Sequence, residues 1–181
     1  MTEAILTYRW TPEGFVRAWE AGAFERRVEM VDGEVIPVVI GDWHGATTAR
    51  LIRALSAEGV EITTQTLPAG DSLPDPDCWV RRAAAQPVGM LGDRLSRWAS
   101  DDVVLVVEVA DHTATFDLTV KARLYGEAGF PSYWVVTHEA LYEHLGPTPS
   151  GYSQRNEHRV GASVALPYAA AELSVAGLVS T

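Results

Sequence analysis

The chain has 181 residues, 24 acidic against 14 basic, a net charge of −10, and 47% hydrophobic and 21% charged residues. Such a length and composition suit one globular domain, expected over residues 1–181, and exclude disorder, collagen and coiled coil as whole-chain readings. The acidic balance argues against nonspecific coating of nucleic acid, which depends on neutralising phosphates, but it leaves room for an enzyme with one local groove.

No apolar run approaches the roughly 18 residues a membrane helix needs. Residues 1–4 show no basic region leading into an apolar stretch, so no signal peptide is expected. One cysteine, Cys78, excludes a disulfide framework or a cysteine zinc cluster within the chain. The expected compartment is the cytoplasm. Thirteen of the 14 basic residues are Arg, and Lys121 is the one Lys. Lysine is a compact point charge that arginine does not imitate in a tight site.

In chain order, Thr11-Pro12 reads as an N-cap followed by proline at the first helical position, opening a short helix to about Glu20. Residues 26–30 and 34–40 read as two strands joined through Val31-Asp32-Gly33, because Asp-Gly between apolar runs signals a hairpin. A second helix is expected over 42–57, with Ala46, Ala49, Leu51, Ile52 and Leu55 as its apolar stripe. Residues 60–67 alternate as a strand. Leu73-Pro74-Asp75-Pro76-Asp77 is stiff and extended, since each proline restricts itself and its predecessor. Cys78-Trp79-Val80 continues as strand, and 83–100 reads as loop. Val103 to Val109 is almost continuously apolar and β-branched, which predicts a central strand buried on both faces. Residues 113–128 form a helix closed by Gly129 and Pro131, and 132–137 another buried strand. Residues 141–145 and 152–155 suit a hairpin, and the apolar tail 162–178 packs back on the domain. The expected fold class is α/β (α+β mixed sheet), a central mixed β-sheet flanked by helices.

Chemistry concentrates at three residues. Glu108 sits in the most apolar strand, where a carboxylate is costly without a cation or metal beside it. Asp77 begins a strand after a rigid approach. Two carboxylates at the ends of adjacent strands suit a divalent cation such as Mg²⁺. Long helical side chains lean toward the helix N-terminus, so Lys121 can return to the end of the Glu108 strand. That convergence suits phosphodiester hydrolysis. The plainer alternative makes Asp77 the end of a turn, Glu108 half of an ion pair, and Lys121 a surface charge.

Val28-Glu29-Met30-Val31-Asp32-Gly33-Glu34, Pro76-Asp77, the strand ending Glu108-Val109, and the run from Asp117 through Lys121 and Tyr125 to Tyr133-Trp134-Val135-Val136 occur in order over about residues 12–178. Together they resemble the Uma-type family, described as putative restriction endonucleases of the PD-(D/E)XK nuclease superfamily. The resemblance implies a restriction-endonuclease-like core and acidic residues holding Mg²⁺ or Mn²⁺. It implies that Asp77 and Glu108 are metal ligands, with the Val109 carbonyl as a further one. It also implies that Glu29 completes the catalytic acidic cluster and that the chain is a homodimer. The superfamily lysine usually lies two residues after the second acid, where this chain has Ala110; the resemblance moves it to Lys121. The chain departs from the family at Ser132 and Thr137, in place of Glu and Asp, and in an acidic 110–113 loop.

His44, at the start of the second helix, is a candidate phosphate contact, with plain packing as the alternative. Arg94 and Arg97 are candidate DNA contacts, with a solvated surface equally reasonable. Asp117, four residues before Lys121, shares its helical face and can position it. Glu34 is read as structural, Cys78 as a buried inert thiol, and the scattered Trp residues as core.

The leading functional reading is a metal-dependent endonuclease hydrolysing DNA, with Asp77, Glu108, Lys121 and Glu29 at its site. The alternative is a catalytically silent nuclease-fold dimer acting as a binding or regulatory module. A glycosidase-like acid/base pair fits less well, because a nearby ammonium keeps both carboxylates ionised and leaves no proton donor.

Overall fold

The structure is a computed structural model and describes residues 7–179; the N-terminal residues 1–4 lie outside that span. Helix α1 (Pro12–Glu20) begins as expected, with the Thr11 hydroxyl accepting from the Gly14 amide at 3.1 Å. It covers a hairpin of β1 (Val28–Val31) and β2 (Glu34–Pro37). Asp32 (φ 50°) and Gly33 (φ 77°) make the turn, a left-handed pair that matches the twist of the flanking strands. A side chain at Gly33 would also meet the Arg9 Cβ at 2.8 Å.

Helix α2 (Asp42–Leu55) is shorter than expected. Its buried face is His44, Thr47, Leu51 and Leu55, whereas Ala46 and Ala49 face solvent. The stripe is therefore rotated from the one that alanine content suggests. Strand β3 (Val60–Thr63) pairs with β4 (Cys78–Arg82), and β4 pairs with β7 (Val103–Val109). Between them, residues 83–100 are not simple loop: β5 (Gly89–Leu91) and β6 (Leu95–Arg97) form a small hairpin. Its strands are three residues each, too short to show a period in sequence.

The helical stretch after β7 has three parts: α3 (Ala114–Phe116), a π-helical turn (Asp117–Lys121) and α4 (Ala122–Glu127). It crosses over to β8 (Ser132–Val136), which lies parallel to β7. Strands β9 (Ala140–Thr148) and β10 (Gly151–Arg159) extend the sheet as a hairpin longer than expected. Strand β8 reaches along β9 only to Leu145, so Pro147, which has no N–H to donate, lies past the two-sided part of β9. The main sheet is mixed and six-stranded, in the order β10-β9-β8-β7-β4-β3. The tail adds β11 (Ser163–Ala165), β12 (Glu172–Ser174) and α5 (Val175–Val179).

Period-two alternation sorts the two faces of the sheet. Cys78, Val80, Leu105, Val107 and Trp134 pack with α2 and α5. Trp79, Val106, Tyr133 and Val135 pack with Ala122, Leu124 and Tyr125 of α4. Every residue of β7 is buried. Glu108, between Val107 and Val109, therefore faces the α4 side. Among the described residues no helix is long and apolar enough to cross a membrane.

Candidate active site

Four acidic segments meet at one end of the sheet. Backbone bonds join Met30 and Leu73 in both directions, at 3.0 and 2.7 Å, and dock the β1–β2 hairpin on the extended 73–77 stretch. Prolines 74 and 76 carry no N–H. The Asp75 amide between them donates to Glu29 Oε2 at 3.0 Å. Asp75 is in turn paired with the Arg27 guanidinium and accepts from the Thr66 hydroxyl at 3.3 Å. Glu29 is thus held by a neighbour whose rigidity comes from the two prolines.

Asp77 stands just before β4. Its Oδ2 accepts the Val109 amide at 2.6 Å, across the end of the β4–β7 ladder. Its Oδ1 lies 2.9 Å from His44 Nε2. Cys78 points to the opposite face, fully buried, and that burial pushes its thiol well up.

Lys121 closes the π-helical turn. Its Nζ lies 2.8 Å from Glu108 Oε1, 2.9 Å from Glu29 Oε2 and 3.8 Å from Asp117 Oδ1. All four residues are at most 5% exposed. The surface-charge alternative for Lys121 is excluded by that burial. A π-turn interrupts the 3.6-residue period. Here it is braced by the Tyr133 hydroxyl, which donates to the Asp117 carbonyl at 3.0 Å. The Thr113 hydroxyl holds the Asp117 carboxylate. Tyr125 donates to Glu108 Oε1 at 2.9 Å.

The electrostatics follow from burial in company. Burial alone pushes the Lys121 ammonium down, but Glu108, Glu29 and Asp117 together carry it above its ordinary value. Lys121 therefore stays charged. Glu108 is pushed well above the carboxylate range by burial; Lys121 opposes this, and Asp77, Asp117 and Glu29 reinforce it. Asp117 is raised by burial too, against Lys121 and the Thr113 hydrogen bond. The cluster holds more negative charge than one ammonium satisfies.

A cleft of about 440 Å³ opens over this cluster; Glu29, His44, Asp77, Glu108, Val109 and Lys121 line it. At its mouth Asp111 bonds His138 at 2.9 Å, and Trp43 stacks on that imidazole with centroids 3.7 Å apart. The donors are hard carboxylate oxygens, of the kind Mg²⁺ and Mn²⁺ prefer. In the geometry described, Asp77 has both oxygens engaged and Glu108 Oε1 is shared by Lys121 and Tyr125. Accordingly, no three His, Cys, Asp or Glu side chains among the described residues are already arranged as a metal cage.

The remaining sequence candidates fall elsewhere. Arg94 is the last residue of the β5–β6 turn and lines a separate cleft of about 500 Å³ that shares Asp75 with the first. Arg97 pairs in register with Gly89 in the small hairpin. Glu34 makes an exposed pair with Arg9 at 3.2 Å, and Thr137 caps the turn into β9. Asp75, Arg27 and Tyr125 were not singled out as site residues by sequence. The signal for Tyr125 was its position one helical turn beyond Lys121. For Asp75 it was the Pro-Asp-Pro-Asp spacing, which leaves one free amide between two prolines.

Comparison with known proteins bears on the fold and the family. No curated protein matches the chain. Among solved structures, one from Anabaena variabilis ATCC 29413, described as a "putative nuclease belonging to DUF820", aligns with a TM-score of 0.66 at 12% identity. The match covers 94% of this chain and 97% of that one, so the two share a fold over nearly their full lengths. The family model Uma2, "Putative restriction endonuclease", matches residues 14–176. A match over that span carries the hairpin with Glu29, the Pro-Asp segment, β7 and the Lys121 helix together, and the chain belongs to the Uma2 family.

Proposed function

We propose that the chain is a divalent-metal-dependent endonuclease that hydrolyses phosphodiester bonds of DNA, with Asp77, Glu108, Lys121 and Glu29 as its active residues. The observation that carries the proposal is the buried Lys121 ammonium, within 3 Å of both Glu108 and Glu29 in the cleft that Asp77 also lines. A lone lysine surrounded by acids is costly as a stabilising device, because desolvation offsets most of the attraction. It makes sense where charge must be supplied to a reacting group.

The donor set fits Mg²⁺ or Mn²⁺ chemically. Asp77, Glu108 and the Val109 carbonyl would hold the ion. When bound, it supplies Lewis acidity toward the phosphoryl oxygen and makes a bound water more acidic. Glu29 and Glu108 hold the Lys121 ammonium at the cleft wall. From there it meets the negative charge that builds on the phosphoryl oxygens as water adds and the P–O bond breaks. Tyr125 keeps Glu108 oriented. Asp117, fixed by Thr113, limits where the lysine can swing. Arg94 and Arg97 are assigned to contacts with the DNA backbone. The proposal carries with it one domain, a homodimer and a cytoplasmic setting, as the sequence and the family resemblance imply.

Nicking of supercoiled plasmid, with Mg²⁺ or Mn²⁺ and with EDTA, tests the proposal. Wild type nicks only with metal, and Lys121→Ala and Asp77→Ala do not nick. Metal also raises the melting temperature of wild type; a ligand at 100 times its Kd adds about 2.7 kcal/mol. Asp77→Ala loses that rise. If wild type shows neither nicking nor a metal-dependent rise, the proposal fails and the silent binding module takes its place.

A further inference from the structure

We infer that His44 is a positioning residue for Asp77, holding one carboxylate oxygen and so fixing the orientation in which the group meets a divalent cation. This rests on the metal-dependent reading above and deepens it. His44 belongs to α2, on the far side of the sheet from Lys121, and reaches the cleft from that helix's first turn. Its Nε2 lies 2.9 Å from Asp77 Oδ1, and the two residues are each 8% exposed.

The other ring nitrogen decides what kind of partner His44 is. Nδ1 is buried and has no hydrogen-bond partner among the described residues. A bare nitrogen lone pair is tolerable in such a place, but an N–H with no acceptor leaves a desolvated donor unmet. The arrangement therefore calls for the proton on Nε2, donating to Asp77 Oδ1. Phosphate contact, the role considered for His44 from sequence, would need Nε2, which is already engaged.

Asp77 is consequently gripped twice, by an imidazole from α2 and by the Val109 amide from β7 at 2.6 Å. Both donors fix the plane of the carboxylate. A donor that orients a ligating carboxylate raises affinity for the cation without touching it. Glu108 has no such grip from α2; its partners are Lys121 and Tyr125. The two acids are thus oriented by separate faces of the sheet.

The test is calorimetric titration of Mn²⁺ into the full chain without DNA, for wild type, His44→Ala, His44→Gln, Asp77→Asn and the His44→Ala/Asp77→Asn pair. Melting temperatures in EDTA identify any variant that fails to fold. His44→Ala weakens Mn²⁺ binding by about 10–100-fold. His44→Gln, whose amide can donate near the Nε2 position, recovers most of that loss, which a general packing defect would not allow. The double variant binds no worse than Asp77→Asn alone. Wild-type affinity in His44→Ala overturns the inference while leaving the metal-dependent reading intact. So does a loss that adds to that of Asp77→Asn. If His44→Ala does not fold, an unimpaired His44→Gln supports the inference and a Gln variant as weak as Asp77→Asn overturns it. A wild type that takes up no Mn²⁺ overturns both.

Discussion

Lys121 Nζ lies 2.9 Å from Glu29 Oε2, which joins the helix after β7 to a hairpin that is not part of the six-stranded sheet. The same ammonium is 2.8 Å from Glu108 on β7. One side chain therefore ties the hairpin, the crossover helix and the central strand at a single buried point.

Removing it leaves three buried acids, Glu29, Glu108 and Asp117, without a cation. Lys121→Ala is expected to cost about 3–5 kcal/mol of unfolding free energy in EDTA. Urea denaturation measures the loss. Lys121→Arg does not restore it, because the planar guanidinium cannot occupy the place of a compact ammonium between three acids. A loss within 1 kcal/mol in the Ala variant would mean that the cluster is open to water.

Glu108 makes stability depend on pH. Its folded value is raised above the ordinary 4.5, by burial first. The folded state then binds its proton more tightly than the unfolded state does. The stability this contributes is full below 4.5 and is lost as pH rises through the raised value. Glutamine carries no such loss. The stability of Glu108→Gln relative to wild type should therefore increase as pH rises above 4.5 in EDTA. Melting curves across that range check it, and a difference that shrinks with pH contradicts the assignment.

Tyr125→Phe removes a neutral donor from the same Glu108 oxygen that Lys121 holds. The ring still packs between Phe130 and Tyr133. The expected cost is about 0.5–1.5 kcal/mol, that of a typical intramolecular hydrogen bond, read by urea denaturation. A neutral result would show that the lysine alone satisfies this carboxylate.

Gly126→Ala should reverse the usual helix preference. Alanine in a helix interior ordinarily gains about 1 kcal/mol over glycine. At Gly126 an added Cβ would sit 2.3–2.6 Å from the backbone of Gly151, at the start of β10. Backbone cannot move aside as a side chain can. A loss of at least about 2 kcal/mol is expected in denaturant titration. Gly59→Ala tests a different cause, since nothing lies within 4 Å there and only its positive φ of 81° resists substitution.

Much of this arrangement was legible before the chain was folded. The Asp32-Gly33 turn, the buried run of β7 and the Thr11-Pro12 helix start are local features, and each formed where its residues imply. Less legible were the β5–β6 hairpin, too short for periodicity, and the face of α2. Apolar content favoured Ala46 and Ala49, but the sheet took Thr47 and His44. A helix's buried side is chosen by what it packs against, and a polar residue is admitted where its partner waits.

By itself the sequence determined the local elements, the apolar strand with its misfit Glu108, and the oddity of a single lysine among 14 basic residues. Short-range sterics, turn chemistry and the two-residue strand period are sufficient for those. Only the tertiary structure decided that Glu29 reaches Lys121, that Asp75 steadies Glu29, and that His44 rather than a lysine grips Asp77. Those pairings join segments from both faces of the sheet. Their partners depend on strand order and helix rotation, which follow from how the whole core closes and not from any one stretch of chain.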